Sequence, residues 1–154
     1  MARGDFTLFD EFVAQIGLKK HNLDTDVLKL AFIDNFITPT AGDATPQWGV
    51  GSGVDYDGNE VSTAGGYVAG GFTISAPSYV EAAGTGTLND DDSNLSLAQN
   101  GSGFTNAYWA ILYNDTATNK DAIGFYDLGG PVSEVAGPIN FNFNASGILT
   151  IANA

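Results

Sequence analysis

A glycine-rich stretch near the middle of the chain constrains its fold most strongly. Residues 60–71, EVSTAGGYVAGG, hold two Gly-Gly pairs on either side of a tyrosine and lead into the strand-like sequence of residues 72–74. Glycine costs backbone entropy, so paired glycines are typical of positions where φ is positive or two backbones approach closely. The pairs lack the lysine and the following helix that a phosphate site needs. The stretch therefore predicts corners and bulges of an all-β protein.

The composition indicates one folded domain. Of 154 residues, 44% are hydrophobic and 12% aromatic, which excludes a mostly disordered chain. We expect a single domain over residues 1–154, with an N-terminal arm and helix at 1–22 and a β domain at 23–154. Cysteine is absent, so disulfides and thiolate sites are excluded.

The charge balance limits the class of partner. Eighteen acidic residues against five basic ones give a formal net charge of −13. Such a chain is repelled by nucleic-acid phosphates and by anionic membrane surfaces, so neither is expected as a partner. The sequence shows neither the apolar core of a secretory signal nor an apolar run long enough to span a bilayer. It predicts a protein made soluble in a cytoplasm.

One short helix is predicted near the N-terminus. Four apolar residues recur at the spacing of a single helical face: Phe9, Phe12, Val13 and Ile16. Asp5 or Thr7 can cap the start of this helix, and Gly17 is a plausible stop.

The rest of the chain reads as short strands. The strand candidates are residues 27–33, 72–74, 86–88, 95–99, 108–113, 122–128, 139–144 and 148–151. Leu28, Leu30 and Phe32 are expected to share one face, and in residues 139–144 three asparagines alternate with buried apolar residues. The predicted fold is mainly β: a single-domain antiparallel β-sandwich or barrel of about seven to nine strands with one short N-terminal helix.

A long aperiodic excursion, residues 38–59, interrupts this pattern and contains Trp48. Loops of this length are usually functional, ordered by a partner or mobile. Trp48 is therefore either an anchor folded back on the core or a contact for a partner.

Catalytic chemistry has few residues to use. His21 is the single histidine, lies beside two lysines, and is interpreted as a surface or packing residue. No spacing selects two carboxylates for hydrolysis. Residues 55–59 and 89–94 offer oxygen ligands for calcium, but neither matches an EF-hand, and both are interpreted as turns rich in Asp and Asn. We expect no enzyme activity, no cofactor and no metal.

Four patches, in order along nearly the whole chain, carry a further signal. They comprise residues 4–6, 9–12, 21–26 and 29–34; then 38–48 and 60–71; then 104–116; and finally 123–130 with 139–151. Together these patches resemble a family of small accessory virion proteins of tailed bacteriophages. The resemblance implies no catalytic residues. It implies a capsid decoration, or cement, protein on the virion surface, assembled in the host cytoplasm with the major capsid protein as partner.

The resemblance also suggests how the protein would assemble. Decoration proteins at local threefold axes are expected as homotrimers, by analogy. Candidate contact residues are Phe6, Leu8 and Phe9 in the N-terminal arm and Trp48 in the excursion.

Two alternatives remain open at this point. The first is a tail or neck component of the same particle. The second is a carbohydrate-binding adhesin module, for which Trp48, Tyr56 and Tyr67 would form the binding platform.

Overall fold

The chain folds into an antiparallel β-sandwich with one short helix. The computed structural model describes residues 4–75, 77–90 and 94–153. Its elements are β1 (Phe6–Leu8), α1 (Glu11–Gly17), β2 (Leu28–Ile33), a 3-10 helix (Asp57–Asn59), β3 (Phe72–Thr73), β4 (Pro77–Ala82), β5 (Thr85–Asp90), β6 (Asn94–Leu97), β7 (Ala107–Asn114), β8 (Ala122–Val132), β9 (Ile139–Asn142) and β10 (Leu149–Ala152). The mainly β prediction is confirmed, and the sheets form a sandwich, not a closed barrel.

The strands are arranged in three antiparallel sheets. The largest has the order β1-β8-β7-β2-β3, and the others are β10-β5-β4 and β6-β9. Strands β2, β7 and β8 form its centre, and the register of β2 against β7 runs without interruption from Leu28↔Asn114 to Ile33↔Trp109. The apolar sequence of β7 is thus explained by a central position with both faces covered.

Alternate residues of the central sheet supply two separate cores. Leu28, Leu30 and Phe32 point to one face, as predicted, and pack in a first core that also receives residues from both smaller sheets and α1. Ala31 and Ile33 point to the other face and enter a second core beneath residues 38–59. The long excursion is therefore a packed layer that covers one face of the sheet.

The glycine-rich stretch brings backbones together, as its sequence predicts. Gly71 has a φ of +82°, and a Cβ there would collide with the carbonyl oxygen of Leu30 in β2. The first pair lies against Glu134, which is fully buried and accepts a 2.6 Å hydrogen bond from the Gly66 amide. A Cβ on Gly65 would occupy the space of that carboxylate.

Several details differ from the prediction. The described residues contain ten strands, and two of these, β1 and β4, were not predicted. Residues 6–8 pair with the edge of β8, so Asp5 and Thr7 do not cap the helix; Asp10 holds that position. Val13 is 78% exposed, because this short helix buries Phe12 and Gln15 on its inner side.

Candidate functional site

An open groove of about 870 Å³ lies between the N-terminal edge of the central sheet and β9, and we name it the edge groove. Its lining comprises Gly4, Asp5, Phe6, Phe32, Tyr126, Asp127, Leu128, Val132, Pro138, Ile139, Asn140, Phe141, Asn142, Asn144, Gly147 and Ile148. The groove forms because β1 pairs with β8 on one side, while β9 belongs to the separate two-stranded sheet on the other. It is of the size that commonly holds a ligand or peptide.

Aromatic rings form the floor of the edge groove. The Tyr126 ring centroid lies 4.7 Å from that of Phe6 and 5.0 Å from that of Phe141. Tyr126 is nearly buried, and this burial raises the pKa of its phenol above the ordinary value. The rings pack on one another, so the floor of the groove is apolar but presents no flat ring face to an occupant.

The rim of the groove is polar and acidic. Asp5 and Asp127 line it, and among residues 4–75, 77–90 and 94–153 the lining includes no lysine, arginine or histidine. The Oδ1 atom of Asp127 accepts a 2.7 Å hydrogen bond from the Gly129 amide, which holds this carboxylate in place along β8. Asn140 and Asn142 are exposed beside it, in agreement with the predicted alternation. The electrostatics therefore favour a cationic occupant.

The structure separates the four predicted contact residues. Phe6 lines the edge groove and is half-buried, while Leu8 is half-buried against the first core. Phe9 is 1% exposed and Trp48 4% exposed, so neither presents its side chain to a partner in this structure.

Packing in the second core explains both buried side chains. Trp48 stacks on Tyr113 with centroids 5.0 Å apart and planes 8° apart. Phe9 lies 5.2 Å from Phe125 and 5.8 Å from Tyr56. Of the two interpretations of Trp48, the anchor folded back on the core is the one observed.

The predicted glycan platform is also buried. Trp48, Tyr56 and Tyr67 lie in two different cores, so the proposal that they form one exposed surface is wrong. The Tyr56 hydroxyl donates a 2.6 Å hydrogen bond to Asp43, and the Tyr67 hydroxyl donates one of 2.9 Å to Glu60. The rings of these tyrosines pack in the cores, and their hydroxyl groups hold the neighbouring loop residues in place through hydrogen bonds.

Sequence reasoning missed the apolar side chains that are exposed. Phe36 is 87% exposed, and Leu18 and Val68 are also largely exposed. The Phe36 amide donates to Asp34 Oδ1 at 2.9 Å, in a turn that holds the ring away from the second core. Nothing in the local sequence distinguishes this phenylalanine from a buried one. A single exposed apolar side chain is common on protein surfaces, so Phe36 does not by itself indicate a contact with another protein.

His21 is buried in a polar cluster that holds the helix to the β7–β8 hairpin. Its Nε2 atom lies 2.8 Å from Gln15 Oε1, and the Asn114 side-chain amide donates to its Nδ1 at 3.1 Å. Gln15 also donates to Asp121, which pairs with Lys20 at 2.8 Å. The predicted packing role of His21 agrees with its burial.

The calcium candidates give no site in the part of the chain that is described. Asp55 Oδ1 accepts from the amides of Gly49 and Asp57, so this loop is a hydrogen-bonded Asx turn. No group of three or more His, Cys, Asp or Glu residues placed to hold a metal occurs within residues 4–75, 77–90 and 94–153. The middle of the second acidic loop, residues 91–93, lies outside the described residues.

Comparison with protein-family models, curated proteins and solved structures found no match for this chain. Within the described ranges, no helix combines the length and apolar character needed to cross a bilayer.

Proposed function

We propose that this chain is an accessory structural protein of a tailed-bacteriophage virion that decorates the outer capsid surface. The observation that carries the proposal is the ordered set of four patches resembling such proteins. Three of these patches include residues 29–34, 107–113 and 123–130, which fall largely on β2, β7 and β8. The likeness thus includes the sheet on which the two cores are built.

The surface of the protein supports a role in binding other proteins. The aromatic residues of the interior pack against one another, whereas the Phe36 side chain and the edge groove are exposed to solvent. A decoration protein needs a stable module with separate surfaces for its own copies and for the shell. Its effect would come from apolar area buried in many symmetric contacts, which together resist the pressure of packaged DNA.

The test is sedimentation with empty shells of the phage that encodes the chain. We expect purified protein to pellet with shells that lack it, at a saturating ratio fixed by the lattice. The native mass, measured in parallel, is expected to be that of a trimer. A monomer that stays in the supernatant at every shell concentration would overturn the proposal.

A further inference from the structure

We propose that the edge groove receives an extended, lysine- or arginine-bearing segment of a partner protein, which adds as a strand beside β9. The inference depends on the proposed function only for the identity of that partner, which would be the capsid subunit. The binding mode itself follows from the walls, the floor and the charge of the groove.

One wall of the groove is the edge of strand β9. Ile139, Asn140, Phe141 and Asn142 all line it in succession. Neighbouring side chains of a strand point to opposite faces, so a groove that touches four consecutive residues runs along the edge of the strand. The other edge of β9 pairs with β6, from Asn94↔Asn142 to Leu97↔Ile139. Strand β9 has only this one partner strand among the described residues, so its groove-side edge is open to pairing.

The opposite wall is also built from consecutive residues. Residues 126–128 of β8 and residues 4–6 of the N-terminal arm line it. An extended segment between these walls would pair its backbone with β9, and the four residues of β9 offer roughly 13 Å of edge. Adding a strand to an exposed edge is an established way for a protein to bind a peptide.

The floor and rim define the sequence of the segment. Side chains directed inward would meet Phe6, Tyr126 and Phe141, which favours apolar residues at alternate positions. Side chains at the rim would meet Asp127 on a protein whose net charge is −13, which favours lysine or arginine. The chemistry therefore selects an alternating apolar and basic strand.

Peptide binding to the full chain tests this inference directly. The probe is a fluorescein-labelled seven-residue peptide of alternating lysine and valine, with binding followed by fluorescence anisotropy. A matched peptide carries N-methyl groups on alternate backbone amides, which removes strand pairing while keeping charge and side chains. We expect N-methylation to weaken binding by about tenfold or more. A peptide of alternating glutamate and valine should not bind.

Hydrogen exchange then locates the bound peptide. We expect amides of residues 139–142 to gain protection on binding, because strand addition gives the outward-pointing amides a partner. Equal binding of the N-methylated peptide, or protection confined to other strands, would overturn the inference.

A charge variant with a matched control tests the rim. Asp127→Asn keeps an oxygen that can accept from the Gly129 amide but removes the charge, and should weaken binding about threefold. Asp10→Asn makes the same change outside the groove lining and should leave binding unchanged. An equal loss of affinity in both variants would show that peptide binding depends only on the overall charge of the protein, and the proposed contact at the rim would then be wrong.

Two comparisons separate this inference from the proposed function. Shell binding without peptide binding would remove the groove mechanism and leave the decoration role standing. Peptide binding without shell binding would remove the decoration role and leave the groove mechanism standing. If only a chain lacking residues 1–3 binds the peptide, the natural occupant is the N-terminus of the chain itself, and the inference is wrong.

Discussion

At the scale of single residues, His21 shows how packing and hydrogen bonds hold a buried histidine in one orientation. Its ring stacks on Phe12 with centroids 5.7 Å apart, and both ring nitrogens have side-chain partners. Gln15 uses its amide nitrogen toward Asp121, so its oxygen accepts from His21 Nε2–H, while Nδ1 accepts from Asn114. This arrangement requires the neutral imidazole. Burial lowers the pKa of His21 from 6.5 to about 4, although Asp121 and Asp26 act in the opposite direction.

A pH-dependent loss of stability follows from that shift. Between pH 6.5 and about 4 the unfolded chain binds a proton at His21 that the folded chain does not, so acidification favours unfolding. We expect this residue to remove about 3 kcal/mol of unfolding free energy by pH 4. Urea denaturation at pH 7 and pH 4 should show the loss in the wild type and a smaller loss in His21→Gln.

The comparison of the two proteins isolates His21 from the carboxylates. Hydrogen bonds from Thr40 and Tyr56 outweigh the effect of burial and lower the pKa of Asp43, while burial raises the pKa of Glu60. These groups titrate alike in both proteins. Identical pH dependence in the two would contradict the assignment.

At the scale of elements, strands that alternate between two covered faces could be predicted, and short edge strands could not. Residues 28–33 form a nearly continuous apolar run because both faces of β2 are buried. The three residues of β1 are too few to show a period, and the Phe9–Phe12 spacing that follows them favours a helix. Strand β4 begins at a proline and is exposed along half its length, so it lacks an apolar pattern.

The candidate site was predicted only in part, for a related reason. Phe6 was identified because an apolar residue in an N-terminal arm is a reasonable contact. The edge groove joins residues 4–6, 126–128 and 139–142, and only strand order brings those segments together. The local sequence also gave no sign that Trp48 would be buried and Phe36 exposed, since both lie in aperiodic segments.

A matched pair of aromatic residues tests whether the excursion of residues 38–59 is a packed layer: Trp48 lies within it, and Phe36 lies just before it. Trp48→Ala removes the ring stacked on Tyr113 and should lower the unfolding free energy by about 3 kcal/mol or more. Phe36→Ala removes an exposed ring and should change it by less than about 0.5 kcal/mol. Urea denaturation followed by circular dichroism measures both. A small loss in Trp48→Ala would mean that the excursion is not anchored as described.

At the scale of the whole molecule, the two cores and the net charge have opposite effects on stability. Apolar residues pack on both faces of the central sheet, which makes the fold stable without disulfides. The formal charge of −13 repels itself in the compact state, and the described residues contain three ion pairs, all in one region around Asp115 and Asp121. The same charge would draw the protein to a basic shell surface.

Salt should therefore act on folding and on particle binding in opposite directions. Raising sodium chloride from about 0.1 M to about 1 M shortens the screening length from about 10 Å to about 3 Å. We expect the unfolding free energy in urea to rise, because self-repulsion weakens, while the fraction of protein sedimenting with empty shells falls. The stability measurement serves as the control, because a fall in both quantities would mean that salt unfolds the protein. Shell binding that is unchanged across this range would contradict an electrostatic contact and assign the interface to apolar residues such as Phe36.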